Sequence, residues 1–172
     1  MTKYAASLIR EIPDFPSPGI LFKDITPLLK DPKGLREAVD AMAKLAEGSD
    51  VIAGIESRGF VLGAAVATVL GKGSVPIRKK GKLPHEVHEE SYGLEYGTDV
   101  LQIHKDAIEP GEKVFIIDDV LATGGTMVAA AKLILKCGGI VTGSAVLLEI
   151  DGLPGQAKIQ EAFPGHKITV LF

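Results

Sequence analysis

Apolar and polar residues are arranged so that short hydrophobic runs alternate with longer amphipathic stretches along the chain. The short runs predict β-strands over residues 50–55, 74–78, 99–104, 113–118, 140–148 and 168–172. Helical spacing of apolar residues predicts helices over residues 4–12, 32–47, 59–70 and 126–137. Strands that alternate with helices are typical of the α/β class, in which helices flank both faces of a mainly parallel twisted sheet.

The second of these helices has a well-marked beginning. Asp31 is predicted to be its N-cap, because a carboxylate there can accept a backbone N–H, and Pro32 suits the first turn. The buried face of this helix is predicted to consist of Leu35, Val39, Met42 and Leu45.

Residues 113–126, KVFIIDDVLATGGT, are the strongest indication of a functional site. A buried strand leads into two adjacent carboxylates, Asp118 and Asp119, and a glycine-rich loop then opens a helix. Glycines let backbone N–H groups approach an anion closely, and a helix N-terminus adds unpaired donors and the positive end of a dipole. The carboxylates would repel the same phosphate, so they suit hydroxyl groups or a hydrated metal ion. A sugar phosphate meets both requirements.

Two common nucleotide loops do not match this stretch. A nucleoside-triphosphate loop has the pattern G-x-x-x-x-G-K-[ST], and no lysine follows the glycines here. The dinucleotide fingerprint G-x-G-x-x-G is also absent from this turn.

A second strand-to-helix loop has the composition of an anion site. This loop, Glu56-Ser57-Arg58-Gly59, follows the strand predicted over residues 50–55. Arg58 offers a fixed fork of donors to a phosphate, and Gly59 would let the next helix begin close to a ligand. Both loops follow the carboxyl ends of strands, where ligands bind in sheets of this kind.

A basic run and a long polar segment come next along the chain. Solvated edge strands often carry such runs, but Arg78, Lys79, Lys80 and Lys82 follow a strand at the predicted ligand edge, which favours anion binding. Residues 81–97 are too polar for a core. Loops of this length in compact domains are often lids over a site.

Composition and charge narrow the class of protein. The 172 residues, 46% hydrophobic and 24% charged, suit a single globular domain. Because the net charge is −3, neither nucleic acid nor a membrane surface is expected as a general partner. A single cysteine, Cys137, excludes an internal disulfide, and no signal-peptide or membrane-spanning run is recognisable. A cytoplasmic location is therefore expected.

Six segments together resemble the type I phosphoribosyltransferases. They are PDFP at 13–16, SPGILFKDITPLLKDP at 17–32, GIESRGF at 54–60, IRKKGKLP at 77–84, SYGLEYGTDVLQIHKDAI at 91–108 and KVFIIDDVLATGGT at 113–126. The last segment matches the signature of the superfamily. The N-terminal segments and SYGLEYG are similar to the adenine branch of the family.

This resemblance implies a type I phosphoribosyltransferase fold in a single domain over residues 1–172. Residues 1–30 would form a small base-binding segment, and residues 81–97 a flexible hood loop. The implied reaction is adenine plus phosphoribosyl pyrophosphate giving AMP plus pyrophosphate, in purine salvage. The implied cofactor is Mg²⁺, held mainly through the substrate and water near Asp118 and Asp119, and the implied assembly is a homodimer.

The resemblance also implies a role for each site residue. The ribose and its 5′-phosphate are expected to contact Asp118, Asp119, Ala122, Thr123, Gly124, Gly125 and Thr126. The pyrophosphate is expected to contact Ser57, Arg58, Arg78, Lys79 and Lys82, with a cis peptide bond between Glu56 and Ser57. Adenine is expected to contact Leu21, Phe22, Lys23 and Ile25. The catalytic acid at the purine is expected to be Glu95, beside Tyr96 in the hood.

One position departs from the family pattern, and two other functions stay open. Lys23 stands where arginine often occurs, which keeps backbone contacts but weakens any planar-fork role. The same fold could take another purine base, because base choice depends on few contacts. A regulator that senses phosphoribosyl pyrophosphate is less consistent with the chain, since no basic helical module is added and both Glu95 and the basic run are retained.

Overall fold

The computed structural model describes residues 3–93 and 98–172, which form six helices and eleven strands. The helices are α1 (Lys3–Ser7), α2 (Thr26–Lys30), α3 (Pro32–Ala46), α4 (Arg58–Leu70), α5 (Gly125–Lys136) and α6 (Gly155–Ala162). The strands are β1 (Arg10–Pro13), β2 (Leu21–Asp24), β3 (Val51–Ile55), β4 (Gly73–Lys79), β5 (Val87–Gly93), β6 (Thr98–His104), β7 (Lys113–Ile117), β8 (Val120–Leu121), β9 (Ile140–Val146), β10 (Leu148–Glu149) and β11 (Ile168–Val170).

A seven-stranded sheet lies at the centre, in the order β11-β9-β7-β3-β4-β6-β5. The five strands from β11 to β4 are parallel to one another, whereas β6 is antiparallel to both β4 and β5. The predicted α/β class and mainly parallel sheet are therefore confirmed. Loops β3–α4 and β7–α5 leave adjacent parallel strands at their carboxyl ends, so the two predicted anion loops lie side by side.

Each face of the sheet is covered by its own hydrophobic core. Helix α5 packs on one face, and helices α3 and α4 pack on the other. Helix α4 lies close to β3 because small residues face each other: a Cβ on Gly54 would stand 2.6 Å from the backbone oxygen of Gly59, and one on Gly63 would stand 3.3 Å from the Cα of Gly54. This contact fixes the height at which α4 begins above the sheet.

The N-terminal region differs from its predicted form. The helix expected over residues 4–12 ends at Ser7, and the residues from Arg10 enter β1, which pairs antiparallel with β2. Arg10 itself forms a salt bridge with Asp24 at the far end of that pairing, at 2.6 Å. The strand forms because it pairs with β2, which begins at Leu21. The spacing of apolar residues within 4–12 contains no information about that partner.

The capping prediction is confirmed, and the face prediction is wrong at one position. The Asp31 side chain accepts the backbone N–H of Gly34 at 2.7 Å. Val39 and Met42 are buried as expected, but Leu45 is 42% exposed. Ala46 takes the buried position instead, because α3 ends there and its last turn faces the sheet through Ala43 and Ala46.

The hood segment is the second region that the sequence described incompletely. Residues 87–93 form strand β5, paired along its length with β6, where a continuous loop over residues 81–97 was predicted. The predicted hood residues Glu95 and Tyr96 lie outside the described residues. Within the part of the chain that the structure describes, no helix is long and apolar enough to span a bilayer.

Candidate active site

A cavity of about 900 Å³ opens at the carboxyl ends of β3 and β7. Its walls come from both predicted anion loops, from the basic run and from the β5–β6 ribbon. The residues are Glu56, Ser57, Arg58, Lys79, Lys82, Tyr92, Asp99, Leu101, Asp118, Asp119, Val120, Leu121, Ala122, Thr123, Gly124, Thr126, Met127 and Leu153. The structure thus brings together side chains that are more than sixty residues apart in the sequence.

The two carboxylates at the end of β7 are buried side by side. Asp118 is 8% exposed and Asp119 is 5% exposed. The backbone N–H of Asp119 donates to Asp118 Oδ1 at 2.8 Å, and Arg58 Nε donates to Asp119 Oδ2. Burial raises the pKa of Asp118 well above its ordinary value of 3.8, and the neighbouring charge of Asp119 raises it further. The pair can accept hydrogen bonds from hydroxyl groups within the cavity.

The glycine-rich loop owes its shape to close backbone packing. Gly124 has a φ of 80° and is the N-cap of α5, and a Cβ there would stand 2.6 Å from the backbone oxygen of Gly155. Gly125 lies behind the wall, where a Cβ would stand 2.9 Å from the backbone oxygen of Gly93. The helix therefore begins at the cavity, with Ala122, Thr123, Gly124 and Thr126 among the lining residues. Unpaired N–H groups at such a helix start suit a phosphate.

The β3–α4 loop places Arg58 beside the acidic pair. The Glu56–Ser57 peptide bond is cis, as expected. Ser57 and Arg58 line the cavity, and the Arg58 guanidinium is the partner of Asp119. Gly59 packs against the end of β7: a Cβ there would stand 2.7 Å from the backbone oxygen of Ile117 and 3.2 Å from Asp118 Oδ1. The expected approach of the helix start to a ligand stays a prediction. Gly59 allows α4 to approach β7, because the contact that needs a glycine is with that strand.

Two residues of the basic run line the cavity, and a third holds them from behind. Lys79 and Lys82 line the cavity. Arg78 does not: its Nε donates to Glu56 Oε2 at 3.2 Å and its Nη1 to the Lys82 backbone oxygen at 3.0 Å. Burial would raise the pKa of Glu56, but the Lys79 backbone N–H and the Arg78 guanidinium hold that pKa below its ordinary value. Arg78 thus holds the lysine loop in place.

A second, more apolar cavity of about 520 Å³ shares a wall with the first. Its lining residues are Gly19, Ile20, Leu21, Phe22, Lys23, Arg58, Val120, Ala122, Ile150, Asp151 and Leu153. The Phe22 and Phe15 rings form an edge-to-face pair with 5.2 Å between centroids, and the Arg58 guanidinium carbon lies 5.8 Å from the Phe22 centroid. A flat aromatic ligand would fit beside Phe22.

Of the four residues expected to contact the base, three line this cavity and one does not. Leu21, Phe22 and Lys23 are in its wall. Ile25 is 1% exposed and packs in the hydrophobic core that α3 and α4 form against the sheet. The alternation of β2 ends at Asp24, and the chain then turns into α2, so Ile25 points into the core.

Three polar residues that line the larger cavity were not assigned a role from the sequence: Glu56, Tyr92 and Asp99. Tyr92 and Asp99 come from the β5–β6 ribbon, where the Tyr92 hydroxyl donates to Asp99 Oδ2 at 3.2 Å. Lys79 Nζ lies 3.1 Å from the same oxygen. The usable signal is the basic run itself, because cations at a ligand edge need nearby carboxylates when no ligand is bound.

The site suits a divalent ion only if the ligand brings part of the coordination. Over residues 3–93 and 98–172, no three histidine, cysteine, aspartate or glutamate side chains form a metal site. Asp118 and Asp119 offer carboxylate oxygens, which are ligands that Mg²⁺ prefers. A magnesium ion usually keeps several waters and binds through one or two carboxylates plus substrate phosphates, which matches this donor set.

The comparison with family models identifies a phosphoribosyl transferase domain over residues 25–164. This match covers more than half of the chain and includes both anion loops, the basic run and the β5–β6 ribbon. It begins after residues 21–23, which line the second cavity.

Individual proteins are similar over most of the chain. A relative from Parvibaculum lavamentivorans, named adenine phosphoribosyltransferase, is 55% identical over 154 residues, which are 88% of each chain. The crystal structure of adenine phosphoribosyltransferase from Thermoanaerobacter pseudethanolicus is 50% identical, with a TM-score of 0.90 over 98% of this chain and 97% of that one. The enzyme of Saccharomyces cerevisiae, complexed with an imino-altritol bisphosphate and adenine, is 36% identical, with a TM-score of 0.91 over the whole of both chains.

Proposed function

The chain belongs to the phosphoribosyltransferase family, and we infer that it transfers the phosphoribosyl group of phosphoribosyl pyrophosphate to adenine, giving AMP and pyrophosphate in purine salvage. The observation that carries this inference is the shared wall between the two cavities. The polar cavity contains two anion loops and a buried acidic pair, and the apolar cavity beside it contains Phe22. A flat base in the apolar cavity would meet a sugar that bears a phosphate and a pyrophosphate at the wall that Arg58 shares between both cavities.

The retained half of the sugar phosphate would bind at the β7–α5 loop. We propose that the 5′-phosphate binds at the start of α5, on backbone N–H groups of residues 122–126 and the side chains of Thr123 and Thr126. The ribose 2′- and 3′-hydroxyls would donate to Asp118 and Asp119. Because both carboxylates are buried and fixed by hydrogen bonds, they hold the ribose in one orientation for attack at its anomeric carbon.

The leaving half would bind at the β3–α4 loop. When the anomeric C–O bond breaks, positive charge develops on the ribose and negative charge on the pyrophosphate. Ser57, Arg58, Lys79 and Lys82 line the side of the cavity where that negative charge would develop. Fixed donors aimed at a developing charge lower the barrier, because they need little reorganisation during the step.

The base would bind beside the Phe22 ring, and backbone groups of residues 21–23 would contact its edge. We propose that Glu95 acts on the purine near N7 and manages its proton, and that Tyr96 joins it in closing over the site. Both lie outside the described residues. The β5–β6 ribbon, which leads into and out of residues 94–97, is anchored to α5 by Glu90, whose carboxylate pairs with Lys132 at 3.0 Å and Lys136 at 2.7 Å. Exclusion of water would protect the reactive sugar from hydrolysis.

Mg²⁺ is proposed as the cofactor, held mainly by substrate phosphates and water near Asp118 and Asp119. When bound, it would offset negative charge on the pyrophosphate. The protein's own contribution is to offer carboxylate oxygens at one end of the cavity and cationic side chains at the other. Removal of Mg²⁺ with a chelator should abolish turnover, and addition of excess Mg²⁺ should restore it.

A homodimer is also proposed, and two exposed valines on α4 support it. Val61 is 50% exposed and Val69 is 46% exposed, on the helix that follows the pyrophosphate loop. Sedimentation of the wild type and of Val61→Glu would test this: the wild type should sediment as a dimer and the variant as a monomer. A monomeric wild type would contradict the proposal.

The cytoplasmic location stays a prediction.

The reaction is tested by turnover of labelled adenine, hypoxanthine, guanine and xanthine with phosphoribosyl pyrophosphate and Mg²⁺. AMP formed from adenine alone is expected, with turnover about 100-fold slower in Glu95→Ala if that residue acts as general acid or base. Turnover of a different base would keep the phosphate sites and overturn the base assignment. Absence of all turnover with phosphoribosyl pyrophosphate still bound would support a sensing role.

A further inference from the structure

Asp99 is a carboxylate beside the lysines of the cavity that would receive a phosphate and a pyrophosphate. A negative charge there should weaken anion binding unless it serves another purpose. Asp99 is partly buried, with 25% of its side chain exposed, and it has several partners. Its Oδ1 accepts the backbone N–H of Val100 at 2.8 Å, and its Oδ2 receives both Lys79 Nζ at 3.1 Å and the Tyr92 hydroxyl at 3.2 Å.

The sheet register explains how these three side chains meet. Strand β6 lies between β4 and β5, Asp99 pairs directly with Tyr92, and Lys79 pairs with Leu101. Residues 99 and 101 point to the same face of β6, so Lys79 is the diagonal neighbour of Asp99 on that face. Three adjacent strands therefore each contribute one polar group to a single cluster in the cavity wall.

The cluster extends to the glycine-rich loop through Tyr92. Tyr92 is 9% exposed, and its ring lies so close to Gly125 that a Cβ there would stand 3.2 Å from Tyr92 Cδ2. Burial raises the pKa of Tyr92, and the nearby Thr126 side chain partly offsets that rise. One end of the cluster thus touches the first turn of α5, and its other end is the Lys79 ammonium.

We propose that Asp99 is a positioning residue that fixes the Lys79 ammonium for the pyrophosphate and links it, through Tyr92, to the 5′-phosphate loop. An ammonium has three N–H donors, and Asp99 occupies one, so two remain for a substrate oxygen. A free lysine side chain loses much rotamer freedom when it binds an anion, and Asp99 removes part of that loss in advance. The carboxylate also raises the pKa of Lys79, which keeps the ammonium charged.

This inference depends on the proposed function, so its test separates the two. Asp99→Asn keeps the shape and the hydrogen bonds to Val100 and Tyr92 but removes the charge that holds Lys79. The KM for phosphoribosyl pyrophosphate should rise about tenfold, while kcat and the KM for adenine change by less than about twofold, because the lost interaction is made in ground state and transition state alike. Wild-type turnover of adenine tests the function itself.

A double-mutant cycle with Lys79→Met identifies the path of the effect. In the Lys79→Met background, Asp99→Asn should cause no further rise in KM, because the ammonium that it positions is gone. Asp99→Glu should recover part of the affinity in the single-variant series. The matched control is Asp40→Asn, which breaks the 2.8 Å pair with Arg36 on α3, away from the cavity, and it should leave every constant unchanged.

Three results would overturn the proposal. Tighter binding in Asp99→Asn would mean that the carboxylate competes with the substrate. An equal loss with and without Lys79 would mean that Asp99 acts by another path. An unchanged affinity for phosphoribosyl pyrophosphate, measured by calorimetry on the same folded variant, would mean that the cluster does not position Lys79. Calorimetry needs no turnover, so this last result stands even if the reaction assignment fails.

Discussion

The two anion loops of the cavity occupy equivalent places in the fold and differ in how they present positive charge. The β7–α5 loop offers backbone N–H groups at a helix start, and its shape depends on Gly124. The β3–α4 loop and the neighbouring lysines offer charged side chains, and three of the cations already have carboxylate partners: Arg58 with Asp119, Arg78 with Glu56 and Lys79 with Asp99.

This difference corresponds to the fates of the 5′-phosphate and the pyrophosphate in the proposed reaction. The 5′-phosphate is present in both substrate and product, so fixed neutral donors serve it throughout. The pyrophosphate must leave, and its binding groups must be stable without it. Paired cations meet that need, because a partly buried guanidinium or ammonium with no counter-charge would be costly once the anion has gone.

The largest effect is expected from a change that breaks the backbone loop. Gly124→Val places a side chain where φ is 80° and the Gly155 backbone oxygen is 2.6 Å from Cβ. Because the start of α5 must move, kcat/KM should fall about 100-fold or more, and the affinity for AMP should fall with it. Steady-state kinetics and AMP titration measure both quantities.

The control for that change is Gly111→Val. Gly111 also has a positive φ, of 84°, but a Cβ there has no neighbour within 4 Å. It should cost stability by about 1–2 kcal/mol through backbone strain and leave kcat/KM intact. Equal activity losses in the two variants would mean that general destabilisation, and not the shape of the phosphate loop, explains the first result.

A smaller effect is expected on the leaving side. Lys82→Met removes a charge that lines the cavity, and it should raise the KM for phosphoribosyl pyrophosphate about tenfold while sparing the affinity for AMP. Lys105→Met, which removes an exposed ammonium at the far end of the ribbon, should change neither quantity. An equal loss of AMP affinity in Lys82→Met would remove the distinction between the two sides.

The buried acidic pair makes a prediction about the free energy of unfolding. The pKa of Asp118 is raised in the folded protein, so its ionisation costs stability as pH rises through that raised value. Asp118→Asn should therefore raise the free energy of unfolding by about 1 kcal/mol at pH 8 while lowering activity. Urea unfolding at pH 5 and pH 8 measures this. A variant less stable than the wild type at pH 8 would contradict the assigned cost.

Glu56 should show the opposite sign and the smallest effect. Its pKa is lowered by the Lys79 backbone N–H and the Arg78 guanidinium, so its contribution is complete above the unfolded value of 4.5 and is lost as pH falls through the folded value. Glu56→Gln should lower the free energy of unfolding by about 0.5 kcal/mol at pH 7. The difference in this free energy between variant and wild type should become smaller in acid. A gap that widens in acid would contradict this sign.

Sequence reasoning identified the parts of the site that are local in the chain. The run into Asp118 and Asp119, the glycines after it and the loop at Arg58 each have a strand before them and a helix after them. That order can be recognised within twenty residues, because apolar spacing changes from strand to helix period.

The parts that were missed depend on contacts between distant segments. Strand β5 carries a polar alternation, VHEESYG, whose charged side chains are used by partners elsewhere: Glu90 by Lys132 and Lys136, and Glu89 by Lys80. Helix α6 has no strong apolar spacing, and only Gly155 and Ile159 are buried in it. Asp99 acquires its neighbours only after β4, β5 and β6 have assembled.

Arg58 has a consequence for how the two substrates affect each other. Its side chain lines both cavities, so any ligand that shifts the guanidinium on one side alters the wall of the other. Thermodynamic linkage then requires reciprocity: the factor by which adenine changes the affinity for phosphoribosyl pyrophosphate equals the factor by which phosphoribosyl pyrophosphate changes the affinity for adenine. A single side chain thus couples the two binding steps by the same factor, whichever substrate binds first.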